Sequence, residues 1–259
     1  MSEHVRVEQH GEVLATTLDR PERRNAITVA MYAALADAIE EGAANDAIRV
    51  ITVSGEGQDF AAGNDLADFL EAAPRLDEEI PVWRLLRALA TCETPIVAAV
   101  HGNCVGIGTT MLLHCDLVIA DDSARFSMPF VDLGLVPEAA SSLLFPRLAG
   151  RRRAARYLLL AELFGVDEAL AIGLVSHRAD PGALDDKLQK VVTSLLAKPP
   201  EALRQTQRLL RRGAREEVLE RMKIESSLFA ERLASAEVKE AISAFFEKRR
   251  PNFKRPESR

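Results

Sequence analysis

The most constraining feature of this sequence is that short apolar runs alternate with stretches of helical periodicity along its first half. Mostly apolar runs at residues 48–53, 96–101 and 116–120 are preceded and separated by stretches with helical spacing. The first of these stretches starts at Thr28, with Met31, Leu35 and Ile39 on one face. Apolar runs of this length are typical of strands buried on both faces. Strands that alternate with helices favour parallel pairing through right-handed crossovers. The pattern therefore predicts an α/β fold.

The two ends of the chain differ from this central pattern. Two β-rich runs within the first 18 residues flank His10-Gly11-Glu12, which predicts a hairpin. After about Ala139 nearly every segment has a helical period, and the last amphipathic run covers residues 218–246. We therefore expect two parts, a core domain over residues 1–200 and a helical C-terminal region over residues 201–259.

Charge and composition limit the classes of partner. The 259 residues carry a formal net charge of −6, and 47% are hydrophobic, which excludes a disordered chain. Residues 201–259 nevertheless carry an excess of basic side chains, an asymmetry that can mark a phosphate-bearing partner. No aromatic platform is interleaved with the arginines of residues 204–215, so we expect no nucleic-acid partner.

Targeting signals and metal motifs are missing from the sequence. No apolar run approaches the roughly 20 residues that span a bilayer, and the first residues do not resemble a secretory signal. The cysteines Cys92, Cys104 and Cys115 do not have the spacing of metal ligands. We expect a cytoplasmic protein with reduced thiols, no membrane association and no metal.

Two glycine-containing turns are the first candidates for chemistry. Residues 60–66, Phe-Ala-Ala-Gly-Asn-Asp-Leu, form the first turn, and residues 101–110, His-Gly-Asn-Cys-Val-Gly-Ile-Gly-Thr-Thr, form the second. Each follows a predicted strand and opens a helix, where backbone N–H groups lack intrahelical partners. One interpretation is that the small residues of these turns only allow a strand and a helix to pack closely. The other is that the two turns lie together and direct two backbone N–H donors at one oxyanion. The glycine spacing of the second turn does not match a dinucleotide fingerprint.

The whole chain resembles the crotonase, or enoyl-CoA hydratase/isomerase, superfamily. The resemblance is carried by both glycine turns and by three further blocks: Leu18-Asp19-Arg20-Pro21-Glu22-Arg23-Arg24-Asn25-Ala26, Cys115-Asp116-Leu117-Val118-Ile119-Ala120 and Phe245-Phe246-Glu247-Lys248-Arg249-Arg250-Pro251-Asn252-Phe253. It implies a ββα spiral core, a helical C-terminal trimerisation region, and a homotrimer or a hexamer built from two trimers. It also implies an acyl-CoA substrate, with coenzyme A as part of that substrate and no separate cofactor.

The resemblance also implies the binding groups of the site. The oxyanion of the substrate thioester would be held by the backbone N–H groups of Asn64 and Ile107. Coenzyme A and the acyl group would contact residues in the two N-terminal loops and near the C-terminus. These residues are Arg24, Ala26, Ala62, Gly63, Asp65, Leu66, Phe245 and Lys248.

The acid and base residues depart from the hydratase pattern. Where hydratases carry their two catalytic glutamates, this sequence has Thr110 and Phe130. Instead, Glu138 falls within Leu133-Gly134-Leu135-Val136-Pro137-Glu138-Ala139-Ala140-Ser141-Ser142, a block similar to that of the peroxisomal-type Δ3,Δ2-enoyl-CoA isomerases. In those isomerases a glutamate at this position is the catalytic base. Alternatively, Glu138 follows Pro137 as a structural acid at a helix N-terminus.

The resemblance indicates an isomerase that moves a 3-enoyl-CoA double bond to the 2-position. Glu138 would carry a proton from C2 to C4 while the oxyanion hole holds the enolate. Three alternatives stay open: an enoyl-CoA hydratase of relaxed type in fatty-acid or acyl-CoA metabolism, an aryl-CoA dehalogenase relative with Glu138 as nucleophile, and a non-catalytic RNA-binding crotonase-like protein.

Overall fold

A six-stranded sheet forms the centre of the molecule. The computed structural model describes residues 2–65, 67–68 and 81–253. In these residues the strand order of the sheet is β1-β2-β3-β4-β6-β9. Its strands are β1 (Val5–His10), β2 (Val13–Leu18), β3 (Val50–Gly55), β4 (Ile96–Val100), β6 (Leu117–Ala120) and β9 (His177–Arg178). β1 and β2 form the predicted antiparallel hairpin, and every other pairing in this sheet is parallel.

A second, smaller sheet was not predicted from the sequence. It contains β5 (Asn103–Val105), β7 (Arg125–Ser127) and β8 (Phe164–Gly165). β5 and β7 are parallel, whereas β7 and β8 are antiparallel. Strands of two or three residues are too short to show an alternating pattern, so their formation depends on tertiary contacts.

Ten helices cover much of the rest of the described chain. They are α1 (Val29–Ala44), α2 (Pro81–Thr91), α3 (Ile107–Thr110), α4 (Ser141–Ala149), α5 (Arg151–Leu159), α6 (Val166–Ala171), α7 (Leu184–Leu196), α8 (Pro200–Arg211), α9 (Arg215–Leu233) and α10 (Ala236–Phe246). α1 begins where the sequence period changes, because the Thr28 side chain accepts a hydrogen bond from the Met31 N–H at 3.2 Å. The predicted apolar face of Met31, Leu35 and Ile39 is buried.

The predicted continuous helix over residues 218–246 is two helices. Ser235 lies between α9 and α10 in an extended conformation, and its hydroxyl accepts a hydrogen bond from the Val238 N–H at 3.2 Å. A serine that caps a new helix ends the previous one, because its own backbone leaves the helical region. The break lets α10 turn back onto the core.

The C-terminal helices share the core of the N-terminal part. Val218, Phe229 and Val238 are buried in the same hydrophobic cluster as residues of the central sheet. A second cluster lies between the sheet and α7, where Leu188 and Val192 are buried. The division into residues 1–200 and 201–259 stays a prediction. Within the described residues, no helix is both long and apolar enough to cross a membrane.

Gly102, two residues after the end of β4, is expected to be intolerant of a side chain. Its φ is +57°, and a Cβ there would lie 1.9 Å from the Gln58 carbonyl oxygen. We expect Gly102→Ala to lower the free energy of unfolding by about 2–4 kcal/mol, measured by urea denaturation. Gly11→Ala is the matched control, because Gly11 has a φ of +61° but open space around it, and should cost about 1 kcal/mol. An equal loss of unfolding free energy in both variants would show that a Cβ at residue 102 does not clash with the Gln58 carbonyl oxygen.

Candidate active site

A cavity of about 630 Å³ lies between the two glycine turns and the C-terminal helices. One side is formed by the loop that precedes α1 and by both turns. The opposite side is apolar and aromatic, with Phe130, Leu133, Phe229, Phe245 and Phe246. The arrangement suits an elongated ligand with a polar end and an apolar end.

Backbone pairing brings the two turns side by side. The Ala61 N–H donates to the Asn103 carbonyl at 3.0 Å, and the Val105 N–H donates to the Ala61 carbonyl at 2.9 Å. Gly63 has a φ of +92°, and a Cβ there would lie 3.2 Å from the Val105 oxygen. The close approach of two backbones therefore explains the glycine at this position.

Asn64 and Ile107 each present a backbone N–H without an acceptor in the described residues. On either side of Asn64, the Ile27 N–H donates to the Gly63 carbonyl at 2.8 Å and the Asp65 N–H to the Ile27 carbonyl at 2.9 Å. The Asn64 N–H therefore points away from Ile27. Ile107 is the first residue of α3, where a helix leaves its N–H groups unpaired. Both residues line the cavity, as a shared oxyanion hole would require.

Glu138 is buried next to Thr110 of α3 and is not among the residues that line the cavity. Only 1% of the residue is exposed, and the Thr110 hydroxyl donates to its Oε1 across 3.4 Å. Burial, with the charge of Glu225 as a second cause, raises the pKa of Glu138 to about 8. Glu138 precedes α4 and is outside the helix, so the structural alternative of a helix N-terminal acid does not describe it. A buried carboxyl with so few partners is a stronger base than an exposed one.

The backbone after Glu138 has an uncommon conformation. Ala139 and Ala140 are fully buried and have φ values of +59° and +54°. His114 bonds the Ala139 carbonyl oxygen through Nε2 at 2.8 Å. Burial lowers the pKa of His114 to about 4, so the ring is neutral and donates this bond from Nε2. Two consecutive alanines in the left-handed conformation persist only where surrounding contacts hold them. Here those contacts also fix the backbone next to Glu138.

Known proteins resemble this chain in sequence and in fold. A family model described as enoyl-CoA hydratase/isomerase matches residues 8–256. The chain is 34% identical over 249 residues to 1,2-epoxyphenylacetyl-CoA isomerase of Escherichia coli (strain K12), covering 93% of this chain and 94% of that protein. It is 32% identical over 257 residues to the 2,3-dehydroadipyl-CoA hydratase of that strain, covering 98% and 99%. The crystal structure of enoyl-CoA hydratase/isomerase from Pseudoalteromonas atlantica T6c matches with a TM-score of 0.92 and 44% identity, covering 97% of this chain and 100% of that chain.

The chain belongs to the enoyl-CoA hydratase/isomerase family. Family membership confirms the resemblance to the crotonase superfamily and the α/β fold with a helical C-terminal region that it implied. It also establishes the general activity class, an enzyme of the hydratase/isomerase type that acts on acyl-CoA thioesters. The relatives include both an isomerase and a hydratase.

The coenzyme A contacts expected in this family are mostly at the cavity. Arg24, Ala26, Ala62, Gly63, Asp65 and Phe245 line it. Lys248 is exposed and does not line the cavity, and Leu66 lies outside the described residues. The Arg24 side chain is exposed, and the neighbouring Arg23 also lines the cavity. The two guanidinium groups place positive charge beside the acidic side chains of Glu22 and Asp65, which also line this end of the site.

Asp65 has a structural role within this hydratase/isomerase site. Its carboxylate accepts a hydrogen bond from Arg20 Nη1 at 2.8 Å and one from the Ala67 N–H at 3.2 Å. Burial opposes ionisation, but the bonds from Arg20 and from the Asp68 N–H outweigh it and lower the pKa of Asp65. The carboxylate therefore caps residues 67–68, which are helical.

Several residues at this family site were not identified from the sequence. Tyr32 is buried in α1, and its hydroxyl donates to the Asn64 side-chain oxygen. Phe229 and Phe246 complete the apolar side of the cavity, and Glu225 lies near Glu138. Tyr32 and Phe229 are on buried helical faces, where their spacing is that of ordinary core residues, so no sequence signal separated them from the core.

Proposed function

We propose that this enzyme is an enoyl-CoA isomerase that moves the double bond of a 3-enoyl-CoA to the 2-position. The observation that carries the proposal is the pairing of a buried Glu138 with two unpaired N–H donors at the adjacent cavity wall. Thr110 and Phe130 occupy the positions of the hydratase glutamates. Thr110 instead hydrogen-bonds Glu138. The site therefore supplies one strong base and an apolar wall.

One carboxylate is sufficient for this reaction. Glu138 removes the proton from C2, and the electrons of that C–H bond delocalise over the double bond and onto the thioester oxygen. The N–H groups of Asn64 and Ile107 stabilise the resulting oxyanion. The protonated Glu138 then returns the same proton at C4, and the double bond ends between C2 and C3. No water enters the balance, which agrees with the apolar wall formed by Phe130.

Hydration is the second candidate activity, because the carboxylate of Asp132 lies at the cavity beside its apolar wall. Asp132 lines the cavity two residues after Phe130 and is exposed. A water molecule held by Asp132 would give the relaxed type of hydratase, with this carboxylate in place of the missing glutamates.

The polar end of the cavity fits the nucleotide part of coenzyme A, and no separate cofactor is needed for proton transfer. Arg23 and Arg24 provide the cations that phosphate groups require. A homotrimer, or a hexamer of two trimers, is part of the same proposal. Its support is the exposure of large apolar side chains on the C-terminal helices α8 and α9: Leu209, Leu210, Ile224 and Leu228.

The test is an assay with two substrates. The protein is mixed with 3-hexenoyl-CoA and, separately, with crotonyl-CoA, and the absorbance of the conjugated enoyl thioester is followed. We expect absorbance to rise with the first substrate and to change little with the second. Rapid loss of crotonyl-CoA absorbance without isomerisation of 3-hexenoyl-CoA would establish the hydratase instead.

The isomerase should lose activity as the pH falls. Glu138 acts as a base only when ionised, and its pKa is raised to about 8. Below that pH, kcat/KM is expected to fall about tenfold per pH unit, and above it to reach a plateau. Steady-state assays from pH 6 to 9 measure the profile, with coenzyme A binding over the same range as the control. A flat profile would show that Glu138 is not the group that limits proton removal.

A further inference from the structure

Glu225 is a buried carboxyl that the proposed reaction does not use. It lies on α9, only 4% of the residue is exposed, and its Oε1 accepts a hydrogen bond from the Ser142 N–H at 2.9 Å. Its second oxygen, Oε2, is buried and has no hydrogen-bond partner within the described residues. Burying an ionisable carboxyl that has an unpaired oxygen lowers the stability of the fold, so a buried glutamate at this position indicates a function.

The hydrogen bonds of α9 converge on the start of α4. Arg221, one helical turn before Glu225, donates from Nη1 to the Ser142 hydroxyl at 3.2 Å. Ser142 is thus held through its backbone and its side chain. On the other side of the same turn, His114 holds the Ala139 carbonyl oxygen. The two left-handed alanines that follow Glu138 are therefore fixed from both sides.

We propose that Glu225 is a positioning residue for Glu138: its carboxylate anchors the turn over residues 138–142 and places a second negative charge beside Glu138. The inference rests on the proposed role of Glu138 as the base. It assigns to α9 a function in the chemistry in addition to its packing.

The groups around the two carboxyls decide which of them ionises first. Glu138 has the Thr110 hydroxyl from α3, Tyr32 from α1 and Glu225 from α9 as its polar or titratable neighbours. Glu225 instead has the Ser142 N–H and hydroxyl, the Ala140 N–H and the positive charge of Arg221. Burial raises the pKa of Glu225, but these partners oppose the shift. Glu225 therefore loses its proton first as the pH rises. Glu138 must then ionise beside an existing negative charge, which disfavours its own ionisation.

This order of ionisation suits the reaction. A proton on the carbon next to a thioester is held tightly, so its removal needs a carboxylate with unusual proton affinity. Burial alone supplies part of that affinity, and a neighbouring fixed charge supplies more. The turn contributes orientation, because the same side chain must reach both C2 and C4.

The experiment titrates Glu138 directly, without substrate. Protein with ¹³C-labelled glutamate side chains is followed by NMR from pH 5 to 9, and the Glu138 resonance is assigned with Glu138→Gln. In Glu225→Gln, which keeps the oxygen that accepts the Ser142 bond, we expect the Glu138 midpoint to fall by about one pH unit. The acidic limb of kcat/KM should move by the same amount. Glu220→Gln, the same charge change at an exposed position of α9, should move neither.

Three outcomes would overturn the inference. One is an unchanged Glu138 midpoint in folded Glu225→Gln, and another is an equal shift in Glu220→Gln. The third needs no variant: a wild-type Glu225 resonance that shows no ionisation below the Glu138 midpoint. If the wild type isomerises no 3-enoyl-CoA but the Glu138 midpoint still falls in Glu225→Gln, the proposed function fails while the coupling between the two carboxyls stands.

Discussion

Replacing Glu138 with glutamine is expected to lower kcat for isomerisation of a 3-enoyl-CoA by about 10³-fold or more, in the upper part of the range for losing a general base. The amide has nearly the same shape as the protonated carboxyl and keeps an oxygen for the Thr110 hydroxyl, but it cannot accept the C2 proton. KM should change little, because glutamine keeps the size and shape of the protonated carboxyl. Stopped assays at high enzyme concentration measure the residual rate.

The same variant has a second readout that does not depend on substrate. An unfolded glutamate ionises near pH 4.5, whereas Glu138 in the folded protein keeps its proton up to about pH 8. Folding therefore takes up a proton between these values, and the stability of the wild type declines as the pH rises through that window. Glu138→Gln avoids the decline, so its melting temperature at pH 9 should exceed that of the wild type. Glu220→Gln is the exposed control.

Two results would contradict this account of Glu138. If Glu138→Gln retains isomerase activity within tenfold of the wild type, another group removes the proton. If the melting temperatures of the two proteins follow the same course from pH 5 to 9, Glu138 ionises as an ordinary carboxyl. The first result tests the role of Glu138 in the reaction, and the second tests its raised pKa. Either prediction can therefore fail without the other.

Replacing Ile107 with proline is expected to lower kcat by about 10²–10³-fold, the usual loss for one oxyanion-hole donor. Proline removes the backbone N–H, which no side-chain substitution does. Ile107 is the first residue of α3, a position that accepts proline because its N–H makes no intrahelical bond. The substitution therefore removes the N–H donor of residue 107 and leaves the hydrogen bonds within α3 intact.

Ile107→Ala is the matched control for the proline variant. Ile107 is buried, so both variants lose packing, but only the proline variant loses the N–H. We expect the alanine variant to retain most of kcat, and equal losses in both would assign the effect to packing. Circular dichroism and coenzyme A binding show whether each variant is folded and competent to bind.

Much of the fold follows from local sequence signals. The hairpin around Gly11, the buried parallel strands and the start of α1 at Thr28 are where the sequence pattern predicts them. Each depends on residues close together in the chain, such as a capping hydroxyl or an apolar period. The family resemblance added the pairing of the two glycine turns, which neither turn indicates alone.

The remaining features depend on contacts between distant residues. Ser142 and Glu225 are 83 positions apart, yet they share a 2.9 Å hydrogen bond, and no local pattern marks a charged residue on α9 as buried. The break at Ser235 was missed because the charge and apolar spacing continue across it. The small sheet was missed because Phe164-Gly165 becomes a strand only beside Arg125–Ser127.

The order in which the chain is made gives the aromatic wall a further consequence. Both N–H donors and Glu138 lie in the first 138 residues, whereas Phe229, Phe245 and Phe246 come from α9 and α10. During synthesis on the ribosome, the residues proposed to carry the chemistry therefore emerge before the aromatic wall and before Glu225, which holds the turn after Glu138. We expect the chain to become active only after its last helices have emerged and packed.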